Sequence, residues 1–345
     1  MSQRITIALD AMGGDQAPRI VLKGAERALQ RFPTVHFLLY GAEDKVAPLL
    51  AKLPKLKAAS TLHHTEEMVT NETKPSVALR AGRRSSMRLA LDAVAAGGAD
   101  GMVSAGNTGA LMAMAKFVLK TLPGIDRPAI ASIFPTLRGE SVMLDLGANV
   151  ECDAENLVQF AVMGDAFARC VLGLPHPSVG LLNVGSEEMK GHDAVREAAA
   201  RLRAPGSPVA FHGFIEGNDI AAGAVDVIVT DGFTGNVALK TAEGTSKLFG
   251  EYLRQAFRNS VLARLGYLLA AGALKKMRNR IDPRRYNGAM FLGLNGIAVK
   301  SHGGADALGF ANAIAVAVDM HVNGFLHQIR DELARLAPAP ATAAL

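Results

Sequence analysis

Residues 100–109 read DGMVSAGNTG, and residues 226–235, more than a hundred positions later, read DVIVTDGFTG. Each is a short, largely β-branched apolar run closed by Ser or Thr, then Gly-x-Thr-Gly, then helix-forming sequence (110–119 and 237–249). The pattern predicts a strand, a tight loop and a helix start, used twice. Such a turn offers bare backbone N–H groups and Thr hydroxyls at the positive end of a helix, where an anion is favoured. It is equally the ordinary strand-to-helix turn of α/β proteins, in which Gly supplies the backbone angles.

Three further loops have the same character. Asp10-Ala-Met-Gly13-Gly14-Asp15 follows an apolar run at 5–9, Gly147-Ala-Asn149 follows 142–146, and Asn183-Val-Gly185-Ser-Glu-Glu-Met-Lys190-Gly191 follows 179–182. Strands are also expected at 36–40, 130–135, 209–212, 225–230 and 297–300. Helices are expected at 19–32, 44–53, 75–95, 154–171, 194–202, 246–281 and 306–335, with a strand-poor passage near 63–69. Strands alternating with helices imply a mostly parallel sheet covered on both faces. Parallel strands present their carboxyl ends on one edge, so the five loops are expected to converge there.

The chain has 345 residues, 49% of them apolar, with no Trp. This suits buried parallel strands under Ala-rich helices. Residues 1–336 are read as one α/β domain and the Ala/Pro-rich 337–345 as a loose tail. Cys152 and Cys170 lack any CxxC or ligand partner and read as ordinary thiols of a reduced, cytoplasmic setting. No apolar leader precedes the first strand, which points the same way.

Net charge is +5. Residues 254–285 hold nine basic side chains against Asp282 alone, a local net of +8, so the remainder is net acidic. One local basic surface therefore explains the balance better than nucleic-acid binding. Inside this segment lies the apolar run 265–274, too short to span a bilayer. At helical spacing Leu253, Phe257, Val261, Leu265, Leu268 and Leu269 share a face. Burial on an anionic lipid surface, or against a second subunit or the core, fits that face equally well.

No GxxxxGK[ST], no GxGxxG after the first strand and no GxSxG elbow occurs, which removes support for nucleoside triphosphates, ordinary dinucleotides and a serine-hydrolase site. The histidines are scattered and form no metal set, and no cofactor is implied. His302 sits where a loop opens the last helix. Lys190 ends a Gly-bearing loop after a buried strand, where a cation can meet an anion. Asn236 directly follows the second Gly-x-Thr-Gly and can donate to an oxyanion or cap the helix.

DAMGGD (10–15), residues 75–87 with Ser85-Ser86-Met87, SAGNTGALM (104–112), LDLGAN (144–149), NVGSEEMKG (183–191), FIEGND (214–219) and TDGFTGNVALK (230–240) together resemble the bacterial phosphate acyltransferases of phospholipid synthesis. The likeness runs through the chain in order; the tail and the details of the basic segment lie outside it. The resemblance implies transfer of a long acyl chain from acyl carrier protein to inorganic phosphate, giving acyl phosphate for a membrane glycerol-3-phosphate acyltransferase. It also implies a homodimer, peripheral attachment to the inner face of the cytoplasmic membrane, and a three-layer αβα sandwich like the isocitrate/isopropylmalate dehydrogenases and phosphotransacetylases, with a helical excursion at 246–285. It makes Lys190 and Asn236 the catalytic candidates. Substrate binding is expected of Asp10, Gly13, Gly14, Asp15, Ser104, Asn107, Thr108, Gly109, Asn149, Asn183, Gly185, Asp231, Thr234, Gly235 and His302, and membrane contact of Leu265, Leu268 and Leu269. Two other classes stand beside it: an NAD-dependent decarboxylating dehydrogenase on a similar fold, and a non-catalytic adaptor for lipid surfaces or carrier protein.

Overall fold

A computed structural model describes residues 4–280 and 286–336. Among them are the strands β1 (Thr6–Asp10), β2 (His36–Gly41), β3 (Ser60–His64), β4 (Gly101–Ser104), β5 (Ala129–Pro135), β6 (Glu140–Leu144), β7 (Ser178–Leu182), β8 (Ala210–Ile215), β9 (Val227–Val229), β10 (Ala289–Leu292) and β11 (Ile297–Lys300). They form one sheet in the order β3-β2-β1-β4-β11-β10-β5-β6-β9-β7-β8. The fold is α/β with a mostly parallel sheet: seven pairings are parallel and three antiparallel.

Side-chain alternation along the strands builds two apolar cores. Ile7, Leu9, Phe37, Leu39, Val142, Leu144, Val227 and Val229 point to one, under helices Arg19–Arg31, Ala154–Phe167 and Ala307–Val322. Ala8, Met102, Ile130, Met143, Ile228 and Ala298 point to the other, under helices Ser86–Ala95 and Thr108–Leu119. The helix Ala154–Phe167 comes closest at Gly164, where a Cβ would sit 2.5 Å from Val227 Cγ1 and 2.9 Å from Leu144 Cδ2. Alanine gains about 1 kcal/mol of helix propensity, but overpacking against a stiff valine costs about 1–3 kcal/mol. Gly164→Ala is therefore expected to lower stability, measured as a shifted urea midpoint with an unchanged slope.

The three antiparallel pairings are consecutive: β11 with β10, β10 with β5, and β5 with β6. An odd number of reversals leaves the block β3-β2-β1-β4-β11 running opposite to the block β6-β9-β7-β8. The expectation that all five loops meet on one edge is therefore wrong. β10, unrecognised in the sequence, and the hairpin at Thr136–Gly139 cause the reversal; Thr136 N–H donates to Gly139 O there (2.8 Å).

Several expected helices are broken where capping chemistry competes. The stretch 75–95 splits into Pro75–Ala81 and Ser86–Ala95, because Ser85 Oγ accepts from Arg88 N (3.3 Å) and starts a new helix. The last helix splits into Ala307–Val322 and Phe325–Leu336 at Gly324, whose φ is +67°. The stretch 154–171 passes into a π turn, Ala168–Leu172, which Gly173 ends at φ +68°. β3, a half-exposed edge strand not expected from the sequence, ends at His64 as the strand-poor passage begins, and 65–69 carry no strand.

The helical excursion begins earlier than expected, as one helix Gly232–Arg258 followed by Val261–Arg280. Ser260 Oγ accepts from Ala263 N (3.0 Å) and starts the second. The six residues proposed to share one face are thus divided. Leu253 and Phe257 lie on the first helix, with the Phe257 ring edge-on to Tyr267 (5.4 Å), whereas Val261, Leu265, Leu268 and Leu269 lie exposed on the second. Gly232 and Gly235 are the buried residues of the long helix. Residues 281–285, which include Asp282, Arg284 and Arg285, and the tail 337–345 lie outside the described residues.

Candidate functional site

The strand directions sort the candidate residues into two clusters. The twin loops follow β4 and β9, which stand five strand spacings apart in the sheet, roughly 24 Å at about 4.8 Å each.

On the first edge Asp10 ends β1 wholly buried and accepts hydrogen bonds from Ser86 Oγ and Ser104 Oγ (both 2.6 Å) and from Met12 N (3.2 Å). Burial pushes its carboxyl above the usual carboxylate range, and the two serines and the loop N–H groups pull it back. Gly13 passes so close to Asp10 and Gly106 that a Cβ has no room. Gly14 has φ +106°, and Asp15 N donates to Gly303 O (3.0 Å), which ties the His302 loop to the Asp10 loop. His302 is exposed, its Nδ1 accepting from Gly304 N (3.1 Å). The Asn107 amide is fully used: Nδ2 donates to the carbonyls of Thr70, Asn71 and Thr73, and Oδ1 accepts from Ala110 N (3.0 Å) to cap the helix that Thr108 and Gly109 begin.

Sequence reasoning passed over Lys300, although a lysine closing an apolar strand was a signal. It is buried, and Nζ donates to Ser301 O and Ala105 O. Burial pushes its ammonium down to about 8 while Asp10 and Asp15 raise it. The unfolded chain therefore holds this proton between about pH 8 and 10.5 where the folded chain has released it, so stability rises with pH across that window. Relative to Lys300→Met, the wild type is expected to gain on the order of 3 kcal/mol between those limits. Urea unfolding of both proteins at pH 7.5 and 10 checks it, and parallel profiles would contradict it.

The second edge gathers Asn149, Asn183, Gly185, Lys190, Asp231, Thr234, Gly235 and Asn236 at the carboxyl ends of β6, β9 and β7. Its hub is Asp145, also missed from sequence. Fully buried, Asp145 accepts from Ile130 N (2.9 Å), Gly147 N (3.1 Å) and Ala148 N (3.0 Å) on Oδ1, and from Asn149 N (2.7 Å) and Nδ2 (2.8 Å) on Oδ2. Burial raises its carboxyl, and these donors oppose the rise. Asn149 Nδ2 also donates to Pro128 O (2.8 Å), so this amide shapes the loop rather than facing the open edge. The loop in turn seats the second twin: Gly232 N donates to Asn149 O (2.7 Å), and Gly235 lies on the Asp145 carbonyl with no space for a Cβ.

Asp231 caps the long helix, accepting from Thr234 N and Oγ1 (both 2.8 Å). Asn183 Nδ2 donates to Lys190 O (3.1 Å), and Gly191, at φ +88°, packs on the Asn183 side chain. That bond fixes where the loop ends. Lys190 and Asn236 are both exposed, and neither the ammonium nor the side-chain amide has a protein partner among the described residues. Two donors, one charged, thus stand free after adjacent strands, Lys190 on the loop that follows β7 and Asn236 in the first turns of the helix that follows β9. Burial pushes the nearby Cys152 thiol up to about 12, so it is no nucleophile at neutral pH. Among the described residues no group of three or more His, Cys, Asp or Glu is arranged to hold a metal, and no helix is long and apolar enough to cross a membrane.

A sequence-family profile described as "Fatty acid synthesis protein" matches residues 5–328. The chain is 69% identical over 345 residues to a protein of Rhodospirillum centenum named phosphate acyltransferase, covering 100% of this chain and 97% of that one. It is 61% identical over 339 residues to another of that name from Paramagnetospirillum magneticum, covering 98% and 97%. In fold it is similar to a phosphotransacetylase from Streptococcus pyogenes, with a TM-score of 0.63, 19% identity and coverage of 93% and 95%.

Proposed function

Because the chain belongs to the phosphate acyltransferase family, we propose that it transfers a long-chain fatty acyl group from acyl carrier protein to inorganic phosphate. The product is acyl phosphate, for use by a membrane glycerol-3-phosphate acyltransferase. The observation that carries the chemistry is the pair of unpartnered donors, Lys190 and Asn236, on the second edge.

Lys190 neutralises and aims the phosphate, with N–H groups of the Gly232–Arg258 helix start beside it. A phosphate oxygen attacks the thioester carbonyl carbon, and the Asn236 amide donates to the oxyanion that forms. The C–O bond to phosphate replaces the C–S bond, and the thiol of the carrier leaves as thiolate. A thiolate departs at neutral pH without a strong general acid. The dehydrogenase and adaptor alternatives are not favoured by the relatives' names.

We read the two apolar cores as the halves of a three-layer sandwich of the isocitrate/isopropylmalate dehydrogenase type, and residues 1–336 as its single catalytic domain. The helical excursion is assigned to homodimer contact toward its tip and, through exposed Leu265, Leu268 and Leu269, to the inner face of the cytoplasmic membrane. Its arginines and lysines suit anionic lipid and an acidic carrier protein.

Mixing purified protein, palmitoyl-acyl carrier protein and phosphate is expected to give palmitoyl phosphate by mass and one released thiol per product. Thiol release without phosphate dependence would overturn the reading. Leu268→Glu with Leu269→Glu is expected to abolish sedimentation with anionic liposomes, and retained binding would remove this helix as the anchor.

A further inference from the structure

The Lys190–Asn236 pair stands in an apolar rim. Met189 is 86% exposed, Val184 75%, Val150 66%, Phe233 62% and Val237 50%. All five sit on the loops or helix start that follow the adjacent strands β6, β9 and β7, roughly 10 Å from end to end. Phe233, Asn236 and Val237 are spaced i, i+3, i+4 on one helix and share a face. Met189 directly precedes Lys190. Five large apolar side chains left in water around two polar groups are more than scattered exposure explains.

Resting on the acyl-transfer reading above, we infer that this rim is the bed of the substrate's acyl chain, and that Phe233 and Met189 set the preference for long chains. A second copy of the chain is the other apolar body that fits. Covering the rim with protein, however, buries an ammonium and an amide that have no partner here, which is unfavourable. An acyl thioester brings both halves of what the rim lacks: an aliphatic chain for the apolar side chains, and a carbonyl and phosphate for the donors between them. Binding energy taken from the remote chain then positions the reacting carbonyl.

The test compares kcat/KM for palmitoyl- and butyryl-acyl carrier protein in wild type, Phe233→Ala and Met189→Ala. Both side chains are exposed, so the variants are expected to fold, and Phe233→Leu serves as the conservative control. Palmitoyl turnover is expected to fall about tenfold in each alanine variant, the scale of withdrawing one large apolar side chain. Butyryl turnover and the sedimentation coefficient stay as in wild type, and Phe233→Leu recovers most of the loss. Equal losses for both donors, no loss for either, or dissociation of an assembly present in wild type overturns the inference. Titration with a fluorescent long-chain fatty acid reads the rim without any transfer. Binding weakened by Phe233→Ala supports the rim even where no acyl phosphate forms, and binding that the substitution leaves unchanged overturns it.

Discussion

Lys190→Ala is expected to lower phosphate-dependent release of carrier-protein thiol about a hundredfold, the scale of removing one preorganised donor from an acyl-transfer site. The geometry makes this a clean substitution. The Lys190 side chain is exposed, and the loop is held by other groups: the Asn183 amide on the Lys190 carbonyl, the Lys190 backbone N–H on Glu187 O (3.0 Å) and the φ of Gly191. Alanine leaves all three in place, so thermal unfolding should be unchanged. The loss should fall on kcat/KM for phosphate, since the anion is what the ammonium meets. Lys190→Arg is not a rescue by default, because a planar guanidinium has different reach and donor geometry. Near-wild-type turnover in Lys190→Ala, with the protein folded, would remove this residue from the mechanism.

The local reading of the twin stretches matches what folds. Each is a strand and a helix joined by a Gly-bearing loop, β4 into Thr108–Leu119 and β9 into Gly232–Arg258. Their relation in space was misread, although a signal was present. Between 135 and 140 the chain has no room for a crossover helix, and parallel neighbours need a dozen or more residues between them. The hairpin at Thr136–Gly139 therefore announced an antiparallel step. The second reversal depends on β10, whose four residues Ala-Met-Phe-Leu are too few to show a period. Charged hubs escaped for another reason. Polar loop residues stand out in the sequence, whereas Asp145 and Lys300 act from inside, where a charge at the end of an apolar strand fixes the loop beyond it. The same logic divides the asparagines. Asn107 and Asn149 spend their amides on backbone carbonyls, while Asn236 keeps its own free, a distinction that residue type alone does not carry.

Asp145→Asn is expected to disable the second edge more thoroughly than any change to an exposed donor. Each Asp145 carboxylate oxygen takes two or three N–H donors, and all five hydrogen bonds point inward to a fully buried group. Asparagine has the same shape but exchanges one acceptor oxygen for an NH2 donor. In either orientation the NH2 faces a backbone N–H of a buried residue, Ile130 or Asn149, that is left without its acceptor. Leaving a buried donor unsatisfied costs about 1–3 kcal/mol, so the substitution should destabilise by at least roughly that amount. The loop from Gly147 to Asn149 would have to rearrange, and with it Gly232, which donates to Asn149 O, and Gly235, which rests on the Asp145 carbonyl. Asn236 is one residue further on, beside Gly147. The expected result is a lowered urea midpoint together with loss of acyl phosphate formation at temperatures where the protein is still folded. A midpoint within 1 kcal/mol of wild type (about the net worth of one hydrogen bond) and intact turnover would show that Asp145 does not hold the site together.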